Sequence, residues 1–134
     1  MLSPSIDTVR LFIHVLAASV WVGGQLVLAG LVPTVRKVAP DATRPVAQAF
    51  SRVAWPAFAI AVVTGLWSLV EVDVADTSSS YQVTVMLKIV VVAVSGSAAF
   101  AHQVGNSTAA KAIGGALGML AGLAAMFLGV LLHG

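Results

Sequence analysis

Four apolar stretches of about twenty residues, parted only by short polar connections, constrain this chain more than any other feature. A helix rises 1.5 Å per residue, so about 20 residues cross the roughly 30 Å of hydrocarbon in a bilayer. The stretches run over residues 11–32, 53–70, 83–101 and 113–132, which leaves no room for a soluble domain in 134 residues. Composition agrees: 59% of the residues are hydrophobic and 9% charged, where a soluble domain carries about 25% charged residues. A water-soluble chain this short could not bury so much apolar surface. The expected fold is all-α, a single four-helix transmembrane bundle over residues 1–134. The absence of cysteine excludes disulfides and thiolate chemistry. The net charge of +2 argues for no nucleic-acid partner. The first stretch does not read as a cleaved leader, because Asp7 precedes it and no small-x-small site leads into a polar region.

Charge sets the expected orientation. The connection from Pro33 to Arg52 holds Arg36, Lys37, Arg44 and Arg52 against Asp41, and the one from Glu71 to Gln82 holds Glu71, Asp73 and Asp76 with no base. Basic connections stay cytoplasmic, so both termini are expected outside; Arg10, at the outer end of the first span, is the one charge that speaks against it. The run Asp76-Thr77-Ser78-Ser79-Ser80 reads as a flexible loop. Arg10, Arg36, Lys37 and Arg52 read as interfacial anchors, and Trp55, Trp67 and Tyr81 as an aromatic belt.

Within the spans the polar residues fall on faces. Arg10, His14, Ala18, Trp21 and Gln25 share one stripe of the first helix, Thr64, Ser68 and Glu71 one of the second, and Thr84, Lys88, Ser95 and His102 one of the third. Polar groups in hydrocarbon are costly, so these stripes are expected to face the protein interior. The fourth span carries Gly114, Gly118, Gly122 and Gly129 at small-xxx-small spacing, ending at His133. Such a stripe lets helix backbones approach closely. Packing within the bundle or across a homo-oligomer is one reading; space for a flat cofactor is the other. By depth, His14, Lys88, Glu71 and His133 are expected near the outer face as one polar cluster, with Trp21 as part of its floor. His102 lies toward the other end.

Imidazole suits copper, iron and zinc, and thioether suits copper(I), so His14, His133 and Met86 are the candidate metal ligands. Each also has a structural reading: His14 as a hydrogen bond between helices, Met86 as packing and His133 as a solvated terminal residue. Lys88 either snorkels to the interface or pairs with an anionic group, Glu71 or a cofactor carboxylate. No nucleophile–base pair, phosphate loop or carboxylate dyad appears, so the residues themselves argue for no enzyme class.

The run His14-Val15-Leu16-Ala17-Ala18-Ser19-Val20-Trp21-Val22-Gly23-Gly24 resembles the opening helix of the copper-resistance D (CopD) family. So do Phe50 to Ala54, Val63-Thr64-Gly65-Leu66-Trp67, and the third helix from Tyr81 to Lys88. The likeness covers about residues 10–103. The His-x6-Trp-x2-Gly pattern and the later lysine are also similar to the HemJ-type protoporphyrinogen oxidases, four-helix proteins that bind haem b. The CopD resemblance implies copper binding or uptake at a bacterial cytoplasmic membrane. The second implies a b-type haem with His14 as axial ligand and Lys88 and Trp21 in the cofactor's surroundings, and with it a haem-dependent oxidoreductase. A structural subunit that only packs against partners is the third expectation.

Overall fold

The computed structural model describes residues 1–134 and contains four long helices and no strand: α1 (Ile6–Val38), α2 (Thr43–Val72), α3 (Ser79–Val104) and α4 (Thr108–His133). All four are long and apolar enough to cross a membrane, as expected of an all-α membrane fold. The chain divides into two compact units, Met1–Val72 and Asp73–Gly134. Each unit is a hairpin of two helices joined by a short connection.

α1 begins where Ser5 and Thr8 cap each other reciprocally: the Ser5 hydroxyl accepts from the Thr8 amide, and the Thr8 hydroxyl accepts from the Ser5 amide. Asp7 in the first turn and Arg36 and Lys37 in the last complement the helix dipole. The helix runs straight through Pro33 to Val38, past its expected end at Val32. Pro33 gives up the bond to the Ala29 carbonyl, and its ring crowds that oxygen. α2 likewise starts at Thr43, ten residues ahead of its expected start at Val53, so the basic connection shrinks to residues 39–42, with a 3₁₀ turn over Pro40–Ala42. Hydropathy marks only the part of a helix that sits in hydrocarbon; the hydrogen-bonded backbone continues beyond it.

In the second hairpin Ser78 caps α3 and Ser107 caps α4, each accepting from the amide three residues on. The acidic connection is shorter and better tied than a flexible loop. Asp73 adopts a left-handed conformation (φ 49°), a 3₁₀ turn follows over Val74–Asp76, and the Gln82 amide donates to the carbonyls of Val74, Ala75 and Thr77 at 3.2, 3.2 and 3.0 Å. Between α3 and α4 the chain turns at Gly105, where a Cβ would lie 2.6 Å from the Ala101 carbonyl oxygen.

The two hairpins pack by different means. α1 meets α2 through buried Ala17, Trp21, Val22, Ala54, Ala57 and Thr64. Trp21 is the centre of this set, with ring centroids 5.1 Å from Trp55 and 4.5 Å from Phe58. Trp55, read from the sequence as part of an aromatic belt, belongs to this aromatic cluster. α3 meets α4 through small residues. A Cβ on Gly114 would stand 2.8 Å from the Ala98 carbonyl oxygen and from the His102 amide nitrogen, and one on Gly118 would stand 3.2 Å from the Ala99 nitrogen. Ser95, 1% exposed, donates to the Gly118 carbonyl at 2.7 Å. Gly114 and Gly118 thus serve packing within the hairpin. The space their missing side chains leave is filled by α3.

Candidate functional site

His14 is placed in the first hairpin by the polar stripe of α1, and what it meets is the polar stripe of α2. Its Nδ1 lies 2.9 Å from the Ala61 carbonyl oxygen and 2.9 Å from the Thr64 hydroxyl. The depths match because His14 and Thr64 each sit about 12 Å in from the same end of the hairpin, at 1.5 Å per residue. Gly65 stands next to Thr64, where a Cβ would approach the His14 Cε1 to 3.2 Å.

This arrangement fixes the tautomer of the ring. A carbonyl oxygen only accepts, so the nitrogen facing Ala61 must carry a proton. The Thr64 hydroxyl is itself committed as a donor to the Ile60 carbonyl at 2.7 Å, which turns its lone pairs toward the imidazole. Nδ1–H is therefore shared between the Ala61 carbonyl and the Thr64 oxygen. In the neutral ring the lone pair then resides on Nε2. Metal-ligating histidines are oriented in the same way, with the second nitrogen donated to a backbone carbonyl or carboxylate.

Near the N-terminal end of the same hairpin, Arg10 follows one turn before His14. Its guanidinium lies 5.6 Å over the Trp67 ring, and its Nη1 is 3.0 Å from the Asp7 carboxylate. Trp67 in turn donates from Nε1 to Glu71 at 3.1 Å. Glu71, expected in the His14 cluster, is thus engaged by its own helix. A groove of about 460 Å³, lined among others by Arg10, Ile13, Thr64 and Trp67, opens here.

Of the other expected site residues, Trp21 forms the aromatic centre described above, about ten ångströms further along α1 than His14 at the helical rise. Lys88, Met86 and His133 belong to the second hairpin. Lys88 runs alongside α4, where Gly129 makes room for it: a Cβ on Gly129 would be 2.9 Å from the Lys88 Nζ. Met86 is 64% exposed and so turned away from the hairpin core, and His133 is exposed at the end of α4. His102 bonds through Nδ1 to the Lys111 carbonyl and clasps the α3–α4 turn. Nowhere does the chain bring together three or more His, Cys, Asp or Glu side chains able to hold a metal ion.

Thr64 and Gly65 are the neighbours of His14 that the stripe pattern alone does not pair with it. Equal depth from one end of the hairpin was the signal that could have paired them. No family model matches the chain, and no curated protein or solved structure is significantly similar to it.

Proposed function

We propose that this chain is a multi-pass protein of a bacterial cytoplasmic membrane that binds a b-type haem through His14 and exchanges electrons through it. The observation that carries the reading is one histidine, deep in an apolar hairpin, whose Nδ1–H is held by Ala61 and Thr64 so that Nε2 carries the lone pair. A haem needs as little as one protein ligand, whereas a bound copper ion needs several. A lone oriented imidazole fits the first demand better, since no cluster of three ligating side chains accompanies it. The His-x6-Trp-x2-Gly pattern formed by His14, Trp21 and Gly24, which is similar to that of the HemJ-type proteins, points the same way. Bound haem would supply one-electron exchange at iron. The residues of the chain would hold the ring upright (Ala61, Thr64) and keep water from it (the apolar walls of α1 and α2). The excess of Arg36, Lys37, Arg44 and Arg52 around the α1–α2 turn supports a cytoplasmic turn with both termini outside.

The second reading is copper handling of the CopD kind, with His14 as the ligand in the first hairpin. It is favoured by the groove at the end of the first hairpin, since one of its lining residues, Thr64, is the partner of His14 and gives an ion a way toward the imidazole.

Absorption spectra of the detergent-purified chain, oxidised and dithionite-reduced, with iron and copper counted on the same sample, decide between them. The haem reading expects a sharp reduced band with about one iron per chain or per dimer, lost or shifted in His14→Ala. A colourless sample with copper that His14→Ala removes would establish the second reading instead. An unchanged spectrum in His14→Ala would remove His14 from the site.

A further inference from the structure

The groove near the N-terminal end of the first hairpin has a feature that electron transfer and copper handling leave unused. Arg10 lines it with a side chain only 10% exposed, yet its Nε and Nη1 are buried without a hydrogen-bond partner. Its one ionic neighbour is Asp7, whose carboxylate is 3.0 Å from Nη1 but 74% exposed. That contact is close in distance but makes no aligned hydrogen bond. An exposed carboxylate of this kind contributes little and turns away readily. The walls of the groove are Ile6, Val9, Ile13 and Trp67. Ser5, which caps α1, also lines it, so the first-turn amides of the helix lie at its rim. An occupant must therefore offer acceptor oxygens at one end and an apolar body along the rest.

Arg10 is about 6 Å, four residues, from the start of α1. It directly precedes the apolar stretch that begins at Leu11, the place where a helix crossing a bilayer passes from headgroups to acyl chains. A phosphate there meets a guanidinium that binds it bidentately, together with a helix N-terminus. We propose that this groove is a binding site for one phospholipid. Its phosphate is held by Arg10 and the first turn of α1, and an acyl chain lies along Ile6, Val9 and Ile13 against Trp67. The His14 ring is not among the residues that line this groove.

The test is native mass spectrometry of the full-length chain, extracted in mild detergent, delipidated and then titrated with phosphatidylglycerol. The wild type is expected to retain about one lipid per chain, and Arg10→Gln to weaken that binding about tenfold or more, because the charge-assisted bonds are lost. Arg10→Lys should fall between them, as the charge stays and the fork is lost. Ile13→Trp, which fills the groove and leaves Arg10 in place, should also expel the lipid, and it covers the case in which the Arg10 variants fold poorly. His14→Ala should leave lipid binding unchanged. Retention by Arg10→Gln equal to the wild type, or no retained lipid in the wild type, would overturn the site. So would displacement of the lipid by millimolar inorganic phosphate, which would make free phosphate the ligand.

Discussion

The two hairpins solve the same packing problem with opposite materials. In the first, large rings and long polar side chains fill the gap between helices: Trp21 nests between Trp55 and Phe58, and His14 reaches across to Ala61 and Thr64. In the second, side chains are missing. Gly114 and Gly118 let the backbones of α3 and α4 touch, and the hydroxyl of Ser95 bonds straight to a backbone carbonyl. In lipid the hydrophobic effect does not press helices together, so contact must come from dispersion, close approach and hydrogen bonds. The first hairpin relies on dispersion between rings and on the hydrogen bonds of His14 across to α2. The second relies on close approach and leaves little internal space. Gly24 is the first hairpin's own close approach, yet what it faces is the ring of Phe50, a side chain that can turn, and not a backbone.

The contrast breaks if removing a large side chain does no harm in the first hairpin, or if adding a small one does none in the second. The largest effect is expected from Trp21→Ala, at about 3–5 kcal/mol for emptying the aromatic centre. Thermal or denaturant unfolding in a single detergent, followed by circular dichroism, would register it. Gly114→Ala should come next, at about 1–3 kcal/mol, because its new methyl meets a carbonyl oxygen and an amide at 2.8 Å and neither can step aside. Ser95→Ala should cost less, about 0.6 kcal/mol, the average of hydrogen bonds between membrane helices. Gly23→Ala carries the opposite sign: nothing lies within 4 Å of a Cβ there, so the helix should gain about 0.4–1 kcal/mol from a stiffer unfolded chain. Equal responses at Gly23 and Gly114 would show that the glycines act through propensity and not through contact.

Most of the helical frame is legible in the sequence, for a physical reason. Apolar runs of span length have only one way to satisfy their backbone in lipid. Of the polar stripes, His14, Thr64 and Ser95 turn toward the neighbouring helix of their hairpin, while Glu71 and His102, nearer the helix ends, are exposed. The helix ends are less legible, because hydropathy stops at the edge of the hydrocarbon while the helix does not; Pro33 and the segment from Thr43 to Arg52 lie within helices for that reason. Pairing is least legible. Periodicity finds which residues share a face of one helix but not which face another helix brings to it. Thus periodicity does not show that Trp55 meets Phe58 and Trp21, and Glu71 reads as a partner for distant cations until Trp67 is seen donating to it.

The orientation of the His14 ring is the claim on which the functional reading rests. Nitrogen-15 NMR of the histidine-labelled protein in nanodiscs, without added cofactor, measures it directly, with His14→Gln assigning the signal. The geometry calls for a proton on Nδ1, which in the neutral ring leaves the lone pair on Nε2, and Thr64→Val should perturb the Nδ1 resonance. A ring protonated at Nε2 with its lone pair on Nδ1 would contradict the account, since the nitrogen facing a metal would then carry a proton.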